Sequence, residues 1–141
     1  MKTIAEDDVT TISVLRLLRK IYLDAALDSD GDIYDRDGIT IPCWIKIIPD
    51  KRLLQFFTYM DFSGSDFDDC SIFEVASRLN SDIAVPTFFG VGERIYGSYF
   101  LTYAGGVAKR QLVSMLRRFS GAFDAGIRLA DISPPGALEA D

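Results

Sequence analysis

Four stretches of the chain carry residue types that could do chemistry. Asp28, Asp30, Asp32, Asp35 and Asp37 place five carboxylates close together, as a calcium loop would. An EF-hand loop that began at Asp28 needs glycine at its sixth position and glutamate at its twelfth, and the chain has Ile33 and Ile39 there. A solvated turn leading into a hairpin fits those residues better. Gly90-Val-Gly92 resembles the opening of a dinucleotide fingerprint, but Ile95 stands in the third glycine position and strand-forming residues follow instead of a helix. Gly105-Gly106 precedes a helical pattern, with Lys109 and Arg110 close behind. Free helix amides and two cations could hold a phosphate or carboxylate, so Gly105, Gly106, Lys109 and Arg110 form a candidate anion site. Asp66, Asp68 and Asp69 could in principle exchange protons with a substrate, but nothing in the spacing fixes a pair at a useful separation.

Composition narrows the chemistry further. The 141 residues contain no histidine and two cysteines. The usual general base near neutral pH is therefore missing, and so are Ser-His-Asp and Cys-His nucleophile systems. Zinc normally needs histidine or more cysteine. Cys43 lies inside a strand pattern and reads as a small apolar core residue. We expect a non-enzymatic protein with no cofactor and no metal.

A chain of this length is one ordinary domain, able to bury about 70% of the surface its unfolded form exposes. Hydrophobic residues make up 48% of it, enough for a folded core. The net charge of −6 disfavours nucleic acid, whose binding depends on neutralised phosphates. No apolar run approaches the ~20 residues of a membrane span, and the N-terminal residues lack the apolar segment of a signal peptide. The expectation is a cytoplasmic protein with a polypeptide partner.

The elements that would position these residues follow from periodicity. Leu112, Leu116, Phe119, Phe123 and Ile127 mark one face of a closing helix, with Lys109, Arg110, Arg117 and Arg118 largely off that stripe. Alternation predicts a strand over residues 95–103 before it. A first helix is predicted over residues 9–26, capped by Asp8 or Thr10, with a stripe widened by Val14, Leu17 and Ile21. Strands follow at 33–35, 39–48 and 53–62, with Asp37-Gly38 as a hairpin signal. Ser71-Ile-Phe-Glu74 fits a capping box that opens a middle helix over 71–79, closed near Asn80. A strand over 84–89 and a turn at Gly90–Arg94 lead into the last strand. Short connections make the strand pairs antiparallel. The fold class is α+β, in the order helix, three strands, helix, two strands, helix, with the helices packed on the sheet. The domain spans residues 1–130, and residues 131–141 read as a loose tail.

Three strands carry large residues on both faces, more than the helices of one side can cover. The uncovered face would present Trp44, Ile48, Phe56 and Phe100 or the opposite set, and Trp44, Phe56, Tyr96 and Phe100 form the candidate partner or dimer surface. Apolar surface of that kind marks an interface, with a second copy of the chain or with another polypeptide.

The order of elements, the segment Glu74-Val-Ala-Ser-Arg-Leu-Asn80, the hairpin over 85–103, the closing segment Leu112-Val-Ser-Met-Leu-Arg-Arg-Phe119 and the early strands together resemble the YbjN-like family. That family is described as bacterial sensory transduction regulators, with a fold similar to type III secretion chaperones. The resemblance covers residues 9–128 and departs where Gly90-Val-Gly-Glu-Arg94 replaces an acidic Asp-Gly type turn. It implies no catalytic residues. It implies a small acidic cytoplasmic protein, dimeric, that binds another polypeptide in a chaperone-like way or acts in regulation.

Overall fold

A computed structural model describes residues 2–22, 24–62 and 69–132. Its elements are β1 (Thr3–Ile4), α1 (Thr11–Arg19), β2 (Ala26–Leu27), β3 (Ile33–Asp35), β4 (Cys43–Ile48), β5 (Leu53–Asp61), α2 (Asp69–Asp82), β6 (Thr87–Val91), β7 (Arg94–Thr102), β8 (Val107–Ala108) and α3 (Lys109–Ile132). The strands hydrogen-bond in the order β2-β3-β4-β5-β7-β6, and β1 pairs separately with β8. This is an α+β fold with an antiparallel sheet. The residues group into two compact units, Met1–Phe57 with Tyr99–Gly121 and Thr58–Ser98 with Ala122–Asp141. Among the described residues no helix is long and apolar enough to cross a membrane.

In unit one, α1 begins with a reciprocal cap. The Thr10 side chain accepts from the Ser13 amide at 3.1 Å, and the Ser13 hydroxyl accepts from the Thr10 amide at 2.9 Å. Val14, Leu15 and Leu18 then bury against Ile33, Ile45, Leu54 and Phe56 of the strands and Leu112, Leu116 and Phe119 of α3. Each such side chain removed from water stabilises the fold by about 1.5–3 kcal/mol. The helix ends at Arg19 rather than Ala26. Arg19 Nε donates to the Ala25 carbonyl at 2.8 Å and turns the chain back, so that Ala26 and Leu27 pair with β3.

The second strand is also shorter than its alternation suggests, starting at Cys43 rather than Ile39. Ile41 finds its partners on a helix: its amide donates to Ser120 Oγ at 2.7 Å, and Ser120 Oγ donates back to its carbonyl at 3.0 Å. Cys43 is buried as expected, and burial pushes its thiol up to about 12.

In unit two, β6 and β7 form a hairpin closed by Gly92, whose φ of +59° suits glycine. Phe88 is buried and stacks on Phe123 at 5.5 Å. Helix α2 buries Ile72, Val75, Ala76 and Leu79. It runs to Asp82, so Asn80 does not close it. Instead the Asn80 carboxamide accepts the Phe88 amide and donates to the Phe88 carbonyl, both at 2.6 Å. Because α2 starts at Asp69, Ser71 lies inside the helix and not at its cap. The Ser71 side chain falls outside the described residues; of the tail expected over 131–141, α3 takes in Asp131 and Ile132, and the rest lies outside the described residues.

Candidate functional site

Unit one holds a groove of about 510 Å³ between α1 and the first turns of α3. The elements that frame it are fixed locally. Strand β8 pairs with β1, Thr3 opposite Ala108 and Ile4 opposite Val107, and the Lys109 amide donates to the Lys2 carbonyl at 2.9 Å. That pairing sets where α3 begins. Leu112 and Leu116 then point to the core, which leaves Lys109, Val113 and Arg117 along a second face at i, i+4 and i+8. On α1 and the turn after it, Leu17 and Ile21 stand four residues apart beside them. Leu17, Ile21 and Val113 make an apolar floor, and Ile21 is 44% exposed.

The rim of the groove is cationic. Lys109, Arg110 and Arg117 line it from α3. A smaller hollow of about 180 Å³ shares Leu17 and Lys109 with it and adds Arg16 of α1 and Lys20 just after it. Among the described residues, the four ion pairs involve none of these five cations. Arg117 is held in place by Tyr22, whose hydroxyl accepts its Nε–H at 2.6 Å. Unit one carries 12 Lys and Arg against 10 Asp and Glu, and unit two 3 against 11, so the acidity of the chain is not that of the groove.

Lys109 and Arg110 thus belong to one site, but the glycines expected with them do not. The Gly105 amide donates to Glu6 Oε1 at 2.7 Å, and the Gly106 amide to the Tyr103 carbonyl at 2.8 Å. The chain's own carboxylate occupies the place proposed for an anion, and Glu6 is paired in turn with Arg52 at 3.1 Å. A hollow of about 380 Å³ beside Glu6, Asp7 and Arg52 therefore opens on a pair of charges already matched. The hydrogen bond of Tyr103, with Glu6 and Asp7 nearby, raises the Arg52 pKa further.

The apolar residues expected on one open sheet face are divided. In unit one, β4 and β5 pair Trp44 with Phe57 and Ile45 with Phe56, so Trp44 and Phe56 point to opposite faces. Phe56 is fully buried, 6.2 Å from Phe119 and 6.4 Å from Tyr99 by ring centres, and cannot line a surface. Trp44 is half-buried between Tyr34 at 4.9 Å and Phe57 at 5.7 Å, whereas Phe100 is 48% exposed. In unit two, Tyr96 is half-buried between Phe89 at 5.3 Å and Tyr59 at 5.4 Å, and its hydroxyl accepts Arg94 Nη1 at 3.3 Å.

The other motifs have local tasks. Asp28 Oδ1 accepts the amides of Asp30 and Asp32 and closes its own turn. Gly90 makes room for Ile72, since a Cβ there would lie 2.9 Å from Ile72 Cγ2. Asp66, Asp68 and the Asp69 side chain lie outside the described residues. One carboxylate of that acidic run is buried, which its spacing does not show. Asp35 is 2% exposed, and among the described residues its Oδ2 has no hydrogen-bond partner. Burial raises its pKa, against the hydrogen bond that Oδ1 accepts from the Asp37 amide.

No protein-family model matches the chain, and no curated protein does. Among solved structures it is similar to the crystal structure of YbjN from E. coli, described as "a putative transcription regulator", with a TM-score of 0.68. The match covers 88% of this chain and 93% of that one at 12% identity. The likeness is one of fold, and it agrees with the YbjN-like architecture expected from the order of elements.

Proposed function

We propose that the protein is a non-enzymatic, cytoplasmic binding and regulatory protein that holds a partner polypeptide, chaperone-like, in the α1–α3 groove of unit one. The observation that carries this reading is the combination of an apolar floor, Leu17, Ile21 and Val113, with cations that no carboxylate of the described residues neutralises. An apolar strip flanked by charges is how a helix-binding groove meets its ligand. The fold shared with a protein described as a regulator supports the same reading. The test is co-purification of the chain from its own cells, beside Ile21→Asp, a substitution at a side chain 44% exposed and hence compatible with folding. A polypeptide held by the wild type and lost from Ile21→Asp supports the reading. An identical set of bound polypeptides, or none with either protein, contradicts it.

Self-association is part of the proposal. Unit two exposes Phe73 at 68%, Phe89 at 43% and Val91 at 57%, apolar surface suited to a second copy. A mass by light scattering near twice 15.7 kDa supports the dimer, and a mass of one chain removes it. A small-molecule sensor is the second reading, favoured by a groove volume within the ~300–1,000 Å³ of ligand sites. Thermal stabilisation by anionic metabolites, with no polypeptide lost from Ile21→Asp, would favour it.

A further inference from the structure

We infer that the segment held in the groove is an acidic amphipathic helix; this rests on the reading of the groove as a polypeptide site. Two helices side by side leave a trough into which a third helix, ~10 Å across, can lay one apolar stripe. The floor, Leu17, Ile21 and Val113, offers aliphatic contact to that stripe. The α3 wall carries Lys109, Arg110 and Arg117, and the adjoining hollow, which shares Leu17 and Lys109 with the groove, adds Arg16 and Lys20. Glutamates flanking the stripe of the ligand would meet the cations of α3 on the groove and those of the adjoining hollow.

Helix electrostatics sharpen the sign. Lys109 and Arg110 occupy the first turn of α3, which contains no acidic residue. The N-terminal end of a helix carries a partial positive charge, so two cations there work against the helix. A carboxylate brought between them relieves both the mutual repulsion and the dipole.

Other polyanions fit less well. Nucleic acid and anionic membranes present charge over distances beyond the Debye length of ~8–10 Å, so they meet the net charge of −6 as well as the groove. Among the described residues, the lining also lacks an aromatic ring on which a base could stack. A short segment seated in the groove senses mainly the local cations.

The experiment uses fluorescein-labelled synthetic helices of ~16 residues, a little over four turns, with leucine on one stripe. One probe carries glutamate and the other lysine at the flanking positions. Anisotropy is read with the full chain and with the double variant Lys109→Glu, Arg110→Glu, which should melt at or above the wild-type temperature because it suits the dipole. The expected result is acidic-probe binding at least about tenfold tighter than that of the basic probe. It should weaken with salt and fall about tenfold in the double variant. No binding, equal binding of the two probes, or an unchanged affinity in the folded double variant overturns the inference. So does tighter, charge-dependent binding of vesicles of phosphatidylglycerol, which would make a membrane surface the occupant. Should the probe fail while Ile21→Asp still loses a co-purifying polypeptide, the chemistry inferred for the partner falls and the polypeptide site stands.

Discussion

Arg117 Nε donates to the Tyr22 hydroxyl at 2.6 Å, across 95 positions of sequence, and the guanidinium carbon lies 5.7 Å from the Tyr22 ring centre. Tyr22 is 2% exposed, so the bond fixes a charged wall of the groove to the core of unit one. Tyr22→Phe keeps the ring and removes the acceptor. It should cost about 1 kcal/mol in urea unfolding, the net value of one hydrogen bond. A neutral result would mean that Arg117 is not held by this contact.

Tyr22 also explains Gly38. A Cβ at Gly38, whose φ is +75°, would lie 2.4 Å from the Tyr22 ring. Gly97 stands in the same relation to Phe123, again at 2.4 Å. Gly97→Ala should destabilise by about 2 kcal/mol or more through overpacking. Gly121, in α3, meets nothing nearer than Thr40 Oγ1 at 3.8 Å, so Gly121→Ala should stabilise by about 0.5–1 kcal/mol from helix propensity. Thermal melts of the two variants should move in opposite directions, and a shared direction contradicts this packing.

The Asn80 side chain satisfies the outward backbone groups of Phe88 on β6, the last strand in the hydrogen-bond order. Such edges pair with other chains unless blocked. Asn80→Leu leaves a buried amide and carbonyl unmatched and should cost about 2–3 kcal/mol. It should also raise the concentration-dependent association seen in light scattering. Wild-type stability and association in this variant would show that the clamp is dispensable.

Asp35 makes stability depend on pH. Burial raises its native pKa above the unfolded value, which is about 3.9. The native state then holds the proton more tightly than the unfolded chain. Its contribution is fully present below about pH 4 and is lost as pH climbs through the native pKa. Asp35→Asn retains an oxygen for the Asp37 amide and cannot ionise. The variant should be at least as stable as the wild type at pH 7, with the advantage shrinking toward pH 4. A variant clearly weaker at pH 7 and equal at pH 4 would contradict the sign.

The α+β class and most elements were legible because their periods were long enough to read. The 3.6-residue stripe from Leu112 to Ile127 gave α3, and alternation gave β5 and β7 to within a residue. The two-residue strands β1, β2 and β8 are too short to show a period. Ile39–Ile41 alternates like a strand, but Ser120, 79 positions from Ile41, supplies its partner. Alternation tells which residues of one strand share a face, not how two strands align, so the register that pairs Trp44 with Phe57 and sets Phe56 on the opposite face was not legible.

The candidate site was half legible. Lys109 and Arg110 were visible as cations at a helix start. That Glu6 would take the Gly105 amide, from 99 positions away, was not. Leu17 and Ile21 showed only as width in an apolar stripe. Their spacing of four, with Arg16 and Lys20 at the same spacing beside them, was the available signal for a second contact face.

The most direct measurement of the central claim is site-specific photo-crosslinking in the cells that make this protein, with the crosslinking residue placed at Ile21 on the groove or at Phe100 on the sheet. Both positions are exposed, at 44% and 48%. A protease-sensitive adduct heavier than the 15.7 kDa chain that forms from Ile21 and not from Phe100 is the predicted result. Adducts from Phe100 alone would move the partner to the sheet face and contradict the groove.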